Sequence, residues 1–170
     1  AGLLAHVDLD HCPTAGHLWS LAGLNPTAKW GKGQKRPWNA RLKVLCFKIG
    51  ESFVKVQNNP GDIFGHVYAQ RKAKEVANNE TLAFKAQAEA ILRAMNIGKD
   101  TEAYKWYTQG KLPPAHIHAR ARRYAVKLFL AMYWEEAYRR HFGKEPPLPY
   151  PIAQLGHVHK INFEQLSRGR

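Results

Sequence analysis

The chain has 170 residues, of which 45% are apolar, and it contains five Trp, seven Tyr and seven Phe. This size and composition fit one folded domain, or one domain with an appendage, and exclude a chain that is disordered throughout. Lysine and arginine outnumber aspartate and glutamate by 26 to 13, which gives a formal net charge of +13. That excess predicts a polyanionic partner, with nucleic acid before an anionic membrane surface. No apolar run is long enough to span a bilayer, so we expect no membrane partner.

Capping residues and apolar spacing predict the first two helices. A short helix follows Pro13-Thr14 and ends at Gly23, and a second begins at Pro37, because proline tolerates the first turn of a helix. The second helix carries one apolar stripe at steps of three and four residues. The stripe consists of Leu42, Leu45, Cys46, Ile49, Phe53 and Val56. The turn Asn58-Asn59-Pro60-Gly61 follows this helix.

The rest of the chain also has helical patterns. Further helices are predicted at about 63–74, 81–95, 101–107 and 114–141, and the last of them ends at Gly143. No segment shows sustained alternation of apolar and polar residues, so we predict an all-α fold. We expect a multi-helix domain with a long late helix over residues 1–143. An extended, Pro-rich C-terminal tail is expected over residues 144–170.

The most informative segment lies between Asp10 and Glu51, where seven basic residues occur without a carboxylate. They are Lys29, Lys32, Lys35, Arg36, Arg41, Lys43 and Lys48. Since they have no local acidic partner, we expect a polyanion to neutralise them and the tryptophans Trp30 and Trp38 to pack against sugar or base faces. The loop before Pro37 should also offer free backbone N–H groups to a phosphate. A solvated, charge-rich loop is the alternative.

A second basic set is predicted on the long late helix. Arg120, Arg123 and Lys127 recur at i, i+3 and i+7, so we expect them on one outer face, with Arg122 beside them. Such a face would follow a stretch of phosphate backbone, and contacts of that kind position a duplex without reading its sequence. The predicted DNA-binding residues are therefore Lys29, Trp30, Lys32, Lys35, Arg36, Arg41, Lys43, Arg120, Arg122, Arg123 and Lys127.

Few residues have a spacing that suits metal chemistry. Two carboxylates of Asp8-Leu9-Asp10 would point to one side of an extended segment and could hold Mg²⁺, and a polar turn is the alternative. The pair His116-x-His118 faces apart on a helix, and His157-x-His159 has no nearby cysteine or acid to complete a zinc site. We predict no catalytic residue, metal site or cofactor in this chain. Cys12 and Cys46 indicate a reducing, cytoplasmic environment, although one disulfide between them stays open.

Several short phrases occur in an order that is typical of one protein family. Ala22-Gly23-Leu24-Asn25-Pro26 ends a short helix, a Gly/Lys loop follows, and Asn39-Ala40-Arg41-Leu42-Lys43 opens the next helix. Together with Tyr68-Ala69-Gln70-Arg71-Lys72 and the late helix around residues 119–128, this order resembles the C-terminal domain of insertion-sequence transposases of the "one-ten" type. These are RNA-guided DNA recombinases, and the resemblance covers about residues 1–142. It implies a DNA-binding domain that contributes to DNA transposition and recombination in a prokaryotic cell, cytoplasmic and nucleoid-associated.

Two features of that family have no counterpart in this sequence. Members carry an N-terminal RNase H-like domain with four metal-binding acidic residues, and we expect the chain to be a fragment without it, with Mg²⁺ needed only by that domain. Where members have a serine proposed as the nucleophile, this chain has Lys29-Trp30-Gly31. The resemblance thus implies DNA as a partner and leaves a guide RNA, a homo-oligomer and enzymatic activity open. The alternatives are a stand-alone RNA- or nucleic-acid-binding module and a metal-dependent nuclease that uses Asp8 and Asp10.

Overall fold

A computed structural model of the chain describes residues 2–148. These residues form six helices and no strand, which confirms the all-α prediction for the described part of the chain. The helices are α1 Ala15–Leu21, α2 Ala40–Lys55, α3 Ile63–Glu80, α4 Lys85–Ala94, α5 Glu102–Thr108 and α6 Pro114–Phe142. Within these residues, no helix has both the length and the apolarity needed to cross a bilayer. Most of the predicted tail, with His157-x-His159, lies outside the described residues.

The long helix α6 is the centre of the fold, and α1, α2 and α3 pack along it. Its buried residues Ala121, Ala125, Leu130 and Trp134 form the main core. The partners from the other helices and loops include Leu18, Ala22, Leu42, Cys46, Phe53, Val67 and Tyr68. A side chain at Gly50 would place its Cβ only 2.7 Å from Cγ of Arg122, so α2 and α6 approach closely at that point.

A smaller core lies at the N-terminal end of α6. There Ala88, Leu112 and Ile117 are buried among partly buried side chains of the α4 and α5 region. The buried amide of Asn79 donates to the carbonyl oxygen of Leu112 at 2.9 Å and accepts from its backbone N–H at 2.8 Å. Both the nitrogen and the oxygen of this buried amide are hydrogen-bonded. Asn79 of α3 therefore holds the connection between α5 and α6 in place without leaving a buried polar atom unpaired.

The helix boundaries agree with the predictions at the long helix and differ at the second, third and fourth helices, and the third extends to Glu80 instead of ending at about residue 74. The predicted span 114–141 becomes Pro114–Phe142, and Gly143 follows it with a positive φ of 64°. The second helix begins at Ala40 rather than at Pro37, because the side chain of Asn39 accepts hydrogen bonds from the next turn and caps the helix. The predicted helix over 81–95 begins only at Lys85, since α3 continues to Glu80 and a turn follows it.

Both cysteines are free thiols in buried positions, so the disulfide that the sequence left undecided is not formed. Cys46 lies in the main core, and burial raises the pKa of its thiol to about 11. Burial and, to a smaller extent, the charge of Asp8 raise the pKa of Cys12. The indole N–H of Trp134 donates to the carbonyl oxygen of Cys12 at 2.7 Å, which fixes the N-terminal segment against α6.

Candidate nucleic-acid interface

The loop between α1 and α2 is exposed but has a defined shape. The indole N–H of Trp30 donates to the carbonyl oxygen of Gln34 at 2.7 Å, and Oε1 of Gln34 accepts from the backbone N–H of Gly31 at 3.1 Å. The end of the loop is fixed where the backbone N–H of Asn39 donates to the carbonyl oxygen of Leu21 at 2.8 Å. These bonds give the loop a defined turn and fix its end to α1.

The start of α2 does not offer the phosphate site that the sequence predicts. Oδ1 of Asn39 accepts hydrogen bonds from the backbone N–H groups of Arg41 at 3.0 Å and Leu42 at 3.1 Å. These are the orphan donors that an anion at a helix N-terminus would use. The backbone N–H groups of Arg41 and Leu42 are therefore not free to bind a phosphate at the start of α2.

The cations of this segment are open. Lys29, Lys32, Lys35, Arg36, Arg41, Lys43 and Lys48 are all exposed. None of them forms an ion pair with a carboxylate among residues 2–148, where the ion pairs near this segment involve other residues such as Asp8 and Glu51. The carboxylate-free segment of the sequence therefore remains unneutralised after the rest of the described chain has folded around it.

Three aromatic rings lie among these cations and line a pocket. The rings of Trp30 and Trp38 meet edge to face with centroids 6.3 Å apart. The guanidinium of Arg36 lies 5.3 Å from the centroid of Trp30, and the ammonium of Lys43 lies 4.2 Å from that of Trp38. With Phe47 of α2, these rings line an open surface pocket of about 580 Å³, here called the aromatic pocket. Its full lining is Trp30, Arg36, Trp38, Ala40, Lys43, Val44 and Phe47.

A smaller cavity of about 230 Å³, here called the basic notch, connects the pocket with α6. It is lined by Gly23, Leu24, Lys43, Cys46, Phe47, Arg122, Arg123 and Val126. Lys43 and Phe47 line both cavities, so the pocket and the notch are neighbours with a shared wall. The guanidinium of Arg122 lies 4.1 Å from the ring centroid of Phe47. The structure thus brings two arginines of α6 beside the basic loop.

The predicted outer face of α6 is wrong at Arg120, which points inward. Nε of Arg120 lies 2.9 Å from Oε2 of Glu75, and Nη1 donates to Gln87 at 3.0 Å. Glu75 is only 1% exposed and binds Arg71 as well, at 2.5 Å. Burial raises the pKa of Glu75, but hydrogen bonds and charges from Arg120 and Arg71 outweigh it, so the pKa lies below its ordinary value. Arg120 therefore neutralises a buried carboxylate.

The other three basic residues of α6 have separate environments. Arg122 forms a hydrogen-bonded ion pair with Glu51 of α2. Lys127 is half-buried with its ammonium 4.9 Å from the ring centroid of Trp19. Arg123 is exposed and has no carboxylate partner among the described residues. The expected common face fails because α6 is the central helix, and only Arg123 remains an unpaired, exposed cation.

The surroundings of the notch carry an excess of positive charge. Although Arg123 is exposed as a residue, partial desolvation of its guanidinium and then the charges of Arg120 and Arg122 lower its pKa. Burial lowers the pKa of His116 as well, and Arg123 and Arg120 lower it further. Burial disfavours a charge of either sign, whereas the contributions of the neighbouring arginines would favour an anion. Because its lining contains Lys43, Arg122 and Arg123 and no carboxylate, the notch is an electropositive recess.

The cations of α2 divide between two sides of the helix. Arg41 and Lys43 are two residues apart, which rotates them by roughly 200° around a helix with 3.6 residues per turn. Arg41 and Lys48 are seven residues apart and share one side of the helix, and neither of them lines the aromatic pocket. Only Lys43 and Arg36 of the seven loop and α2 cations line that pocket.

Sequence reasoning missed two apolar residues of the interface. Val44 is 56% exposed and Phe47 is 54% exposed, and both line the aromatic pocket. Their positions lie off the buried stripe of α2 and beside basic residues. Large apolar side chains on the polar face of an amphipathic helix are the signal that would have found them.

The residues considered for metal chemistry have simpler roles. One oxygen of Asp8 accepts from the backbone N–H of Asp10 at 3.0 Å and the other lies 2.8 Å from Nδ1 of His11, as in a polar turn. His116 and His118 contact tyrosines on different helices, as their predicted separation on a helix requires. Within residues 2–148, no group of three or more His, Cys, Asp or Glu side chains could hold a metal ion.

The candidate interface is defined by its own geometry. Its parts are the exposed loop cations, the aromatic pocket and the basic notch. Comparisons of the chain with protein-family models, with curated proteins and with solved structures found no match. The family resemblance of the short sequence phrases therefore stays a prediction.

Proposed function

We propose that this chain is a DNA-binding domain of an insertion-sequence transposase and contributes to DNA transposition by holding a duplex. The observation that supports this most is the set of exposed cations on the loop between α1 and α2, which no carboxylate of residues 2–148 neutralises. Lysine contacts to phosphates release bound counterions from DNA, and this release supplies most of the affinity. The order of the sequence phrases supports the choice of the transposase family.

The position of the aromatic rings favours nucleic acid over other polyanions. Trp30 is 43% exposed and lies between loop cations, and the pocket that it lines has Arg36 and Lys43 at its rim. Indole rings offer flat faces to sugars and to unpaired bases, while the flanking cations contact the phosphates of the same strand. A loop of this composition would grip the backbone and leave sequence reading to other elements.

The proposal includes a cell compartment and leaves further partners open. Transposition takes place on the nucleoid, and the two buried free thiols accord with the reducing cytoplasm of a prokaryotic cell. A guide RNA and a second copy of the chain are further partners that the family resemblance leaves open. Neither is needed for the loop cations to hold a duplex.

A salt titration of duplex binding tests the proposal. The dissociation constant for a mixed-sequence duplex is measured by fluorescence anisotropy at several salt concentrations. For roughly six phosphate contacts, affinity falls by about 10³-fold between 50 and 200 mM salt. Salt-independent binding, or no duplex binding at all, contradicts the proposal. Competition with a structured RNA is the second arm, and a strong preference for the RNA supports the stand-alone RNA-binding module instead.

A further inference from the structure

We infer that the aromatic pocket takes the base of an unpaired DNA nucleotide, whose phosphate lies at the basic notch. This inference rests on the proposed DNA binding and deepens it, because it adds a site for single-stranded DNA to the duplex-holding loop. It follows from the lining of the pocket, from the shared wall with the notch and from the position of the cations.

The lining of the pocket suits a flat, largely apolar ligand. Trp30, Trp38, Val44 and Phe47 supply the walls, and the charged groups of Arg36 and Lys43 accompany them. In a B-form duplex the bases are stacked and paired, so their faces are not available to protein side chains. Unstacked bases do stack on aromatic side chains, in nearly any sequence, because every base has a π face. A duplex therefore leaves this pocket without a fitting ligand, and an unpaired base fills it.

The notch supplies the place for the phosphate of the same nucleotide. Lys43 and Phe47 line both cavities, so a base in the pocket brings its backbone next to Arg122 and Arg123. Glu51 pairs with Arg122 alone, which leaves Arg123 and Lys43 without a carboxylate partner in the described residues. A phosphate in the notch would therefore lie beside positive charge, while the attached base would pack against the apolar walls of the neighbouring pocket.

The cations at the rim now lie where a base would stack. The ammonium of Lys43 lies 4.2 Å from the ring centroid of Trp38, and the guanidinium of Arg36 lies 5.3 Å from that of Trp30. Both side chains are long and exposed, so they can leave the ring faces for a phosphate oxygen. The entering nucleotide replaces each cation–π contact by a base–indole contact and a charge-assisted hydrogen bond.

The proposed function, and not the lining of the pocket, decides that the occupant is DNA. A protein distinguishes RNA from DNA through the 2′-hydroxyl, which can both donate and accept a hydrogen bond. The side chains that line the pocket carry donors and apolar groups, and none of them is a carboxylate, amide or hydroxyl. The donors of Arg36 and Lys43 suit a phosphate oxygen as well as a 2′-hydroxyl oxygen, so the lining does not distinguish ribose from deoxyribose. The proposed function, which supplies DNA, therefore decides the occupant.

The test compares single-stranded and duplex DNA of one sequence, as 20-mers at one salt concentration, with the full chain. Trp30→Ala and Phe47→Ala each remove one aromatic wall. We expect each variant to lose about tenfold in affinity for the single strand, since one base–aromatic contact is worth that much, and less than about twofold for the duplex. Trp30→Phe keeps a ring and should retain most of the single-strand affinity.

Phe142→Ala is the matched control, because Phe142 is also an exposed aromatic residue. It lies 19 residues beyond Arg123 on α6, roughly 28 Å along a helix that rises 1.5 Å per residue. We expect no change with either DNA. Circular dichroism confirms that each variant is folded, and Phe47→Leu replaces Phe47→Ala if the latter is not, since leucine keeps the apolar volume without the ring.

The possible results separate the inference from the proposed function. A selective loss for the single strand supports the inference. Equal losses for both DNAs, or no loss, overturn the inference and leave the duplex-holding loop intact. Absence of any DNA binding by the unmodified chain overturns the proposed function itself. A single-stranded RNA that binds more than about tenfold tighter than the DNA, and loses this advantage in Trp30→Ala, overturns the choice of DNA.

Discussion

The loop between α1 and α2 and the first half of α6 carry the same kind of side chain in opposite environments. On the loop, Lys32 and Lys35 are exposed and have no carboxylate partner in residues 2–148. On α6, Arg120 binds the buried carboxylate of Glu75. The difference shows that basic residues with the same spacing in the sequence can have different roles, and that only the tertiary fold tells which role each has. Cations on a central helix hold the bundle together, and cations on a projecting loop are available to a partner.

The largest expected effect is on folding stability and concerns the buried ion pair between Glu75 and Arg120. Glu75→Gln leaves the half-buried guanidiniums of Arg71 and Arg120 without their counter-charge, so we expect the free energy of unfolding to fall by about 3 kcal/mol. Urea unfolding measures it. The matched control is Glu80→Gln, where the pair with Lys111 has an exposed carboxylate and should contribute less than about 1 kcal/mol. Equal effects of the two substitutions would contradict the stabilising role of the Arg120–Glu75 ion pair.

The pH dependence of the same variant sharpens the result. Since the pKa of Glu75 is lowered in the folded chain, its ionised form stabilises the fold above the ordinary glutamate pKa. This stabilisation is lost as the pH falls through the lowered, folded-state pKa. The difference in unfolding free energy between the unmodified chain and Glu75→Gln should therefore shrink in acid. A difference that stays constant down to strongly acidic pH contradicts this assignment.

The next largest effect is on DNA binding and concerns the exposed cations of the loop. Lys32→Glu combined with Lys35→Glu should weaken duplex binding by at least about tenfold for every sequence alike and reduce the slope of log affinity against log salt by about 1.8. The free energy of unfolding should change by less than about 0.5 kcal/mol, because both side chains are exposed. Lys74→Glu combined with Lys99→Glu makes the same charge change elsewhere on the surface and is the control. A loss confined to one target sequence speaks against phosphate contacts.

The smallest expected effect tests the field around the notch. Arg123→Gln removes one of the charges that lower the pKa of His116, so this pKa should rise. It should remain below the ordinary histidine value, because burial is the larger cause and persists. Ring-proton chemical shifts followed through a pH titration measure the change. Lys55→Gln, at the far end of α2, is the control and should leave His116 unchanged. A fall in the pKa would contradict the excess of positive charge.

Helix positions could be predicted wherever local chemistry decides them. Pro114 and Gly143 enclose α6, and the predicted end differs from the structure by one residue. The start of α2 was misplaced because Pro37 and Asn39 both suit the beginning of a helix. Only the hydrogen bonds of the Asn39 side chain settle the choice, and they depend on the loop that delivers it.

About half of the candidate site could be predicted from the sequence. The loop cations followed from a segment without carboxylates, which is a local property of the sequence. The face of α6 failed because Glu75 lies 45 positions from Arg120, and Glu51 lies 71 positions from Arg122. Helical periodicity tells which side chains share a face, but not which element that face meets. Phe47 was overlooked for a similar reason, since its role depends on a pocket that the loop and α2 form together.

The buried state of the two thiols has a practical consequence. Cys12 and Cys46 are each only 2% exposed, and burial keeps Cys46 protonated with a pKa of about 11. A maleimide reacts with exposed thiolates, so the folded chain should be nearly inert to it. A cysteine introduced at the loop tip, as in Lys35→Cys, would then accept a fluorophore at one position without removal of the native cysteines. Energy transfer from that dye to a labelled oligonucleotide end would report the polarity with which the strand lies on the protein.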